Sequence, residues 1–149
     1  MPLQTTFGSK VSLVETTARH PLGTIRVEGN KTYKYTKAGG TIHAMDGCAA
    51  SAAGTVVVTG ANLKACGVNG TGATLSSGDY FWMSVGGEFG DATSGYPDTS
   101  GSTAVGYPAY CTSATGLLTG TSSGGVTIGT STVAVKSNTV GIVLLAGLL

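Results

Sequence analysis

Glycine or a β-branched residue interrupts nearly every stretch of this sequence, and no window of a dozen residues keeps the 3.6-residue period of an amphipathic helix. The chain has 25 glycines, yet valine, isoleucine and leucine recur in short blocks along its 149 residues. Because a strand needs only a two-residue alternation, such short blocks favour strands separated by turns. We therefore predict an all-β fold, either an antiparallel β-barrel or a β-sandwich, with about nine or more short strands.

Two hairpins can be located from the local pattern. "KVSLVE" from Lys10 alternates as a strand, and "TIRVEGNKTYKYTKA" from Thr24 is typical of a β-hairpin with "EGN" at its tip. "GTVVVTG" from Gly54 indicates a short apolar strand, and "NLKACGV" from Asn62 is predicted to pair with it as a second hairpin.

The segment "GDYFWMSVGG" contains the one Trp of the chain and two further aromatic residues. Successive side chains of a strand point to opposite faces, so three adjacent bulky residues cannot share one face. We predict that one face fills the core: Phe81, Met83 and Val85. The other face presents Tyr80 and Trp82, and such residues concentrate at protein interfaces. We expect these two to contact another protein, because one subunit offers no obvious cover for them.

The length allows a single domain with a sizeable core. We assign residues 1–22 to an extended N-terminal arm that orders on a partner surface, and residues 23–149 to one β domain. A long irregular loop insertion is predicted at about residues 90–109, where "GYP" occurs twice and indicates turns.

Charge and hydropathy argue against several kinds of partner. The formal net charge is +1 and 10% of the residues are charged, so there is no basic stripe for nucleic acid. The longest apolar run, "GIVLLAGLL", is about half of the roughly 20 residues that a spanning helix needs, and we expect no membrane insertion. The N-terminal residues have no basic region followed by an apolar one, so we expect no secretory signal.

Three cysteines, Cys48, Cys66 and Cys111, lie at unrelated spacings that describe neither a disulfide framework nor a zinc site. We expect buried free thiols, with one oxidised pair as the alternative. Asn30 and Asn69 each begin an N-x-[ST] sequon, and both are expected to stay bare without export.

Motifs that could carry chemistry are weak. "GTSSG" places Ser122 in a G-x-S-x-G pattern, but a strand follows it where a nucleophile elbow needs a helix. His43, Asp46 and Cys48 supply too few ligands for a metal, "DG" is more simply a turn, and His20 as a general base has no partner cluster. "GVNGTG" lacks the Lys of a phosphate loop and is predicted to be a hairpin turn. We expect no catalytic residue, no cofactor and no metal.

Several islands of sequence resemble a family of tailed-phage virion proteins that decorate or stabilise the capsid. They are "LGT" before the first hairpin, the strand "YKYTKAG", the turn "MDG", "GDYFWMSVGG" and the apolar "VGIVLL", in the family's order. Phe81 stands where the family pattern has Gly, and the insertion at 90–109 has no counterpart in the family.

The resemblance implies a non-enzymatic structural protein that binds the outer surface of an assembled capsid and stabilises the head. Its partners would be the major capsid protein and further copies of itself in a homotrimer. It would be made in the host cytoplasm and localised on the virion. The candidate subunit or capsid interface consists of aromatic and terminal apolar residues: Tyr33, Tyr35, Tyr80, Trp82, Leu148 and Leu149.

Two other classes of function remain open at this point. One is a carbohydrate-binding or host-attachment β module of a virion fibre, in which aromatic rings form a stacking platform: Tyr80, Trp82, Tyr96 and Tyr107. The other is a hydrolase that uses Ser122.

Overall fold

The computed structural model describes residues 10–51, 54–58 and 66–87, together with the backbone of residues 65, 88–89, 108–112, 118–119, 125–131 and 142–144. Its strands are β1 (Ile25–Glu28), β2 (Lys31–Ala38), β3 (Gly47–Ala50), β4 (Thr55–Val58), β5 (Ala65–Val68), β6 (Tyr80–Phe89), β7 (Pro108–Thr112), β8 (Leu118–Thr119), β9 (Gly125–Ser131) and β10 (Ile142–Leu144). In this part of the chain, no helix is long and apolar enough to cross a membrane.

Five strands close into a β-barrel in the order β2–β4–β3–β5–β6, with β6 pairing back onto β2. The prediction of an all-β fold is confirmed, and of its two alternatives, barrel and sandwich, the structure shows the barrel. Four of the five pairings are antiparallel, as expected, but β2 and β4 are parallel through Lys37 and Ala38. β1 is an additional strand on β2. At its C-terminal end, from Gly87 to Phe89, β6 also pairs with β10, and the sheet continues from β10 through β9, β7 and β8.

The hairpin predicted from Thr24 is confirmed as β1 and β2. Glu28 pairs with Lys31 across a two-residue loop, and Gly29 has a φ of 60°. Both common turn types of this length need a positive φ at their first central residue, a conformation that glycine adopts without steric cost.

The barrel interior holds the main hydrophobic core, to which the predicted face of the aromatic strand contributes. Phe81, Met83 and Val85 are each at most 1% exposed, as predicted. They pack with apolar residues from the other barrel strands and the connecting loops: Ala38, Ile42, Cys48, Val56 and Leu75. Full burial of these side chains supplies the main hydrophobic stabilisation of the barrel.

Asn69 is a buried polar residue beside this core, in the loop after β5. Its side-chain amide donates hydrogen bonds to the carbonyls of His43 at 2.9 Å and Ala73 at 2.8 Å, and its Oδ1 accepts one from the Thr71 hydroxyl at 2.7 Å. Asn69 thus ties the loop before β3 to the loop after β5, and the "GVNGTG" segment is more than a hairpin turn.

Two strand predictions are wrong. "KVSLVE" is no strand, because a turn in which the Leu13 N–H bonds the Lys10 carbonyl breaks its alternation. β5 does not pair with β4 as a hairpin; it pairs with β3 and β6 instead. This arrangement places β3 between β4 and β5, a pairing of distant segments that local sequence pattern does not encode.

Residues 10–22 lie on the chain's own barrel. Glu15 exchanges backbone hydrogen bonds with Tyr80 at the start of β6, at 2.9 and 2.7 Å. Val14 packs against the main core, and Val11 packs against the aromatic residues on the outer face of the barrel. Residues 90–107 of the predicted insertion lie outside the described residues.

Candidate functional site

The candidate interface residues of β2 and β6 come together on the outer face of the barrel. Tyr35 lies directly opposite Trp82 in the strand register, with ring centroids 5.0 Å apart. Tyr80 stacks on Tyr35 with centroids 6.2 Å apart, and Tyr33 belongs to the same cluster. We call these four residues the aromatic cluster.

The N-terminal segment and β1 cover the aromatic cluster. The His20 ring packs edge-on against Tyr35 at 5.0 Å and lies 5.1 Å from the Trp82 ring. From β1, the Arg26 guanidinium lies over the Trp82 ring, 5.6 Å from its centroid, and pairs with Glu28. The attraction between a cation and the face of an indole ring is favourable, and it is stronger when the pair is desolvated.

The buried carboxylate of Glu15 holds the N-terminal segment on the aromatic cluster. Its Oε2 accepts a hydrogen bond from the Tyr35 hydroxyl at 2.7 Å, and the same hydroxyl accepts one from the Arg19 backbone N–H at 3.2 Å. The Arg19 Nε lies 3.0 Å from Glu15 Oε1 but without hydrogen-bond alignment, so this oxygen has an ionic neighbour and no hydrogen bond. Because the Arg19 side chain is largely exposed, solvent screens that ion pair, and the Tyr35 hydrogen bond is the stronger contact.

Burial raises the pKa of Tyr35 to about 12, the Arg19 N–H lowers it, and Glu15 raises it further. The phenol is therefore neutral at physiological pH and remains the proton donor to Glu15. A neutral donor facing a buried carboxylate satisfies that charge without a second buried ion.

The expectation that one chain offers no cover for Tyr80 and Trp82 is wrong for Trp82, which is 1% exposed, and the candidate interface residue Tyr35 is 0% exposed. Tyr33 is also buried, and Tyr80 is half-buried with the Lys37 ammonium 5.4 Å from its ring centroid. The physical reason is the fold of the N-terminal segment onto the same subunit. Trp82 is therefore not available as a sugar-stacking platform in this conformation.

The other residues proposed for these two surfaces lie outside the described side chains. They are Tyr96, Tyr107, Leu148 and Leu149.

An exposed apolar surface lies instead on β1. Ile25 and Val27 share one face of this strand and are 43% and 65% exposed. The alternation "IRVE" contains the signal, but apolar residues are ordinarily assigned to the inward face. Here Arg26 lies over Trp82 on the outer face of the barrel, so Ile25 and Val27 lie on the opposite face of β1, where they are exposed.

The described residues that the sequence offered as metal ligands do not form a metal site. Asp46 is buried and accepts a hydrogen bond from the His43 N–H at 2.8 Å, while the exposed His43 ring has Nδ1 3.3 Å from the same carboxylate. Burial raises the pKa of Asp46, and the His43 N–H lowers it. In the described ranges no three His, Cys, Asp or Glu residues are placed to hold a metal ion. Ser122 lies outside these ranges.

The described cysteines are free thiols, Cys48 buried and Cys66 half-buried, whereas the Cys111 side chain lies outside the described part of the chain.

Comparison with known proteins finds no matching family model, no matching curated protein and no matching solved structure.

Proposed function

We propose that this protein is a non-enzymatic virion component that binds the outer surface of an assembled phage capsid and stabilises the head, acting as a homotrimer. Its partners are the major capsid protein and further copies of the chain. Support comes first from the order of the sequence islands that resemble capsid decoration proteins, which include the strands β2 and β6 of the barrel.

The structural observation that carries the proposal is the exposed apolar face of β1, formed by Ile25 and Val27. Among the described residues, every exposed large hydrophobic side chain belongs to the segment between residues 13 and 27: Leu13, Leu22, Ile25 and Val27. β1 also stands at the end of the strand order, so its second edge has no partner among the described strands. An open strand edge that carries apolar side chains favours contact with another protein.

This assignment gives the aromatic cluster a different part in assembly. The cluster anchors β1 through Arg26 and the N-terminal segment through Glu15, and so it holds the apolar face of β1 in place. A contact surface that is already ordered in the free subunit binds with a smaller loss of conformational entropy.

The test is co-sedimentation of purified protein with assembled capsid shells that lack it, compared with unassembled capsid protein. We expect saturable binding to shells at a copy number fixed by the lattice. Val27→Asp should weaken it roughly tenfold or more, because a carboxylate would be buried in an apolar contact. Thr41→Asp introduces the same group at another exposed position and should leave binding unchanged.

Light scattering of the free protein tests the homotrimer separately. Binding to isolated capsid protein as strong as to shells, or no binding to either, would overturn the proposed function. Equal binding by Val27→Asp and the unaltered chain would remove β1 from the contact.

A further inference from the structure

A cavity of about 440 Å³ lies at one end of the barrel. Four barrel strands meet there: the end of β3 at Ala50, the start of β4 at Thr55, the start of β5 at Cys66, and β2 at Lys34 and Thr36. Further lining comes from residues outside these positions: Leu22, Gly23, Gly54 and Val56. Its volume lies within the roughly 300–1,000 Å³ of ordinary small-molecule sites.

The cavity lies beside the edge of β2 along which β1 and β4 both pair. On one edge of β2, β4 pairs only with Lys37 and Ala38, and β1 pairs with the residues up to Lys34. Between these two strands, Tyr35 exchanges backbone hydrogen bonds with Gly23 and Thr24, and the Lys37 N–H donates to the Gly54 carbonyl, so Gly23 and Gly54 line this side of the cavity. The side chains at this end are mostly small, such as Ala50 and Thr36, so they do not fill the space.

Lys34 brings a positive charge into this cavity. It pairs directly with Met83, a buried core residue, and directly paired residues of neighbouring strands share one face of the sheet. The acidic side chains in the described part of the chain each have another partner: Glu15 with Tyr35, Glu28 with Arg26, Asp46 with His43, and Asp79 with the Ser76 N–H. Within the described residues, no ion pair therefore neutralises Lys34.

The other lining groups in the part of the chain that the structure describes are neutral. The Thr36 hydroxyl already donates a hydrogen bond to the Gly54 carbonyl at 3.0 Å. Burial raises the pKa of the Cys66 thiol, and the nearby Lys34 charge acts in the opposite direction, so the thiol is protonated at neutral pH. Among the described lining residues, Lys34 is thus the one cationic group that the cavity offers to a ligand.

We propose that this cavity binds a small aliphatic monocarboxylate, with its carboxylate on the Lys34 ammonium and its hydrocarbon body against Leu22, Ala50 and Val56. One ammonium matches one negative charge, whereas phosphate binding normally uses several donors or a bidentate guanidinium. The apolar lining favours a hydrocarbon body over a second polar group. This proposal is independent of capsid binding.

The experiment titrates the full chain with hexanoate, hexanol and inorganic phosphate, with binding followed by isothermal calorimetry. Hexanoate should bind, hexanol should bind more weakly, and phosphate should not bind. Lys34→Met should weaken hexanoate binding roughly 10- to 100-fold, the usual effect of losing a charge-assisted hydrogen bond. Lys31→Met removes the same charge from an exposed position on the same strand and should leave the affinity unchanged.

A second readout uses the native thiol and needs no altered chain. Hexanoate should slow alkylation of Cys66 by N-ethylmaleimide several-fold, as measured by peptide mass spectrometry, and hexanol at the same concentration should slow it less. If Lys34→Met does not fold by circular dichroism, Lys34→Gln replaces it.

Three results would overturn the proposal. They are absence of hexanoate binding, equal affinity in the Lys34 and Lys31 variants, and a Cys66 alkylation rate that hexanoate does not change.

Discussion

Removing one hydroxyl group, by Tyr35→Phe, tests how the N-terminal segment is held on the barrel. The Tyr35 hydroxyl donates a 2.7 Å hydrogen bond to the buried Glu15 carboxylate, and loss of a hydrogen bond to a charged group costs about 1.5–3 kcal/mol. We expect the free energy of unfolding at pH 7 to fall by that amount, measured by urea denaturation. Tyr33→Phe is the matched control, because the Tyr33 hydroxyl has no hydrogen-bond partner among the described residues and its loss should be nearly neutral.

The same substitution should remove an alkaline transition. The pKa of Tyr35 is about 12 in the folded protein and 10.0 in the reference state, so the folded state retains a proton that the unfolded state has lost between those values. This stabilisation is fully present below pH 10 and is lost as the pH rises to 12. Two pKa units correspond to about 2.7 kcal/mol. The difference in stability between the unaltered chain and Tyr35→Phe should therefore shrink across this window. A difference that stays constant from pH 9 to 12, or one below about 0.5 kcal/mol at pH 7, would refute the reasoning.

Three further substitutions test the interior, each by urea denaturation. Phe81→Ala should cost about 3–5 kcal/mol because the ring is fully buried, and a cost below about 1 kcal/mol would contradict the core assignment. Gly67→Ala should cost about 1–3 kcal/mol, since its Cβ would lie 2.7 Å from the Met83 side chain, whereas Gly40→Ala has open space and should differ little from the unaltered chain. Asn69→Ala should cost roughly 2 kcal/mol because it removes the hydrogen bonds of a buried amide to the His43 and Ala73 carbonyls, and an unchanged stability would show that water replaces the amide.

The sequence predicts those elements of the fold whose signals are local. The alternation around Tyr35 and Trp82 correctly places each strand, and the glycine at the hairpin tip correctly marks the turn. Whether a second strand covers an outward face is decided by residues far away along the chain. No alternation pattern in β6 indicates that residues near Glu15 will lie on it, and so the exposure of Trp82 is mispredicted.

The polar residues are the second source of error. Arg26 carries a charge, yet it lies over an indole ring, and the apolar Ile25 and Val27 are exposed on the other face of β1. Asn69 resembles a turn residue in the sequence, but its buried amide makes hydrogen bonds with three groups, the His43 and Ala73 carbonyls and the Thr71 hydroxyl. In both cases the deciding partner lies in another strand or loop, so only the assembled fold reveals the role of the residue.

Closure of the barrel between β2 and β6 also constrains how fast the chain can fold. The ring of hydrogen bonds is complete only when β2 pairs with β6, and three strands, β3, β4 and β5, lie between these two in the sequence. Topologies with such sequence-distant pairings have a high relative contact order and fold in roughly milliseconds to seconds. During synthesis, the aromatic face of β2 therefore emerges well before its partner strand exists. We expect the nascent chain to depend on dilution or on chaperones until β6 has left the ribosome.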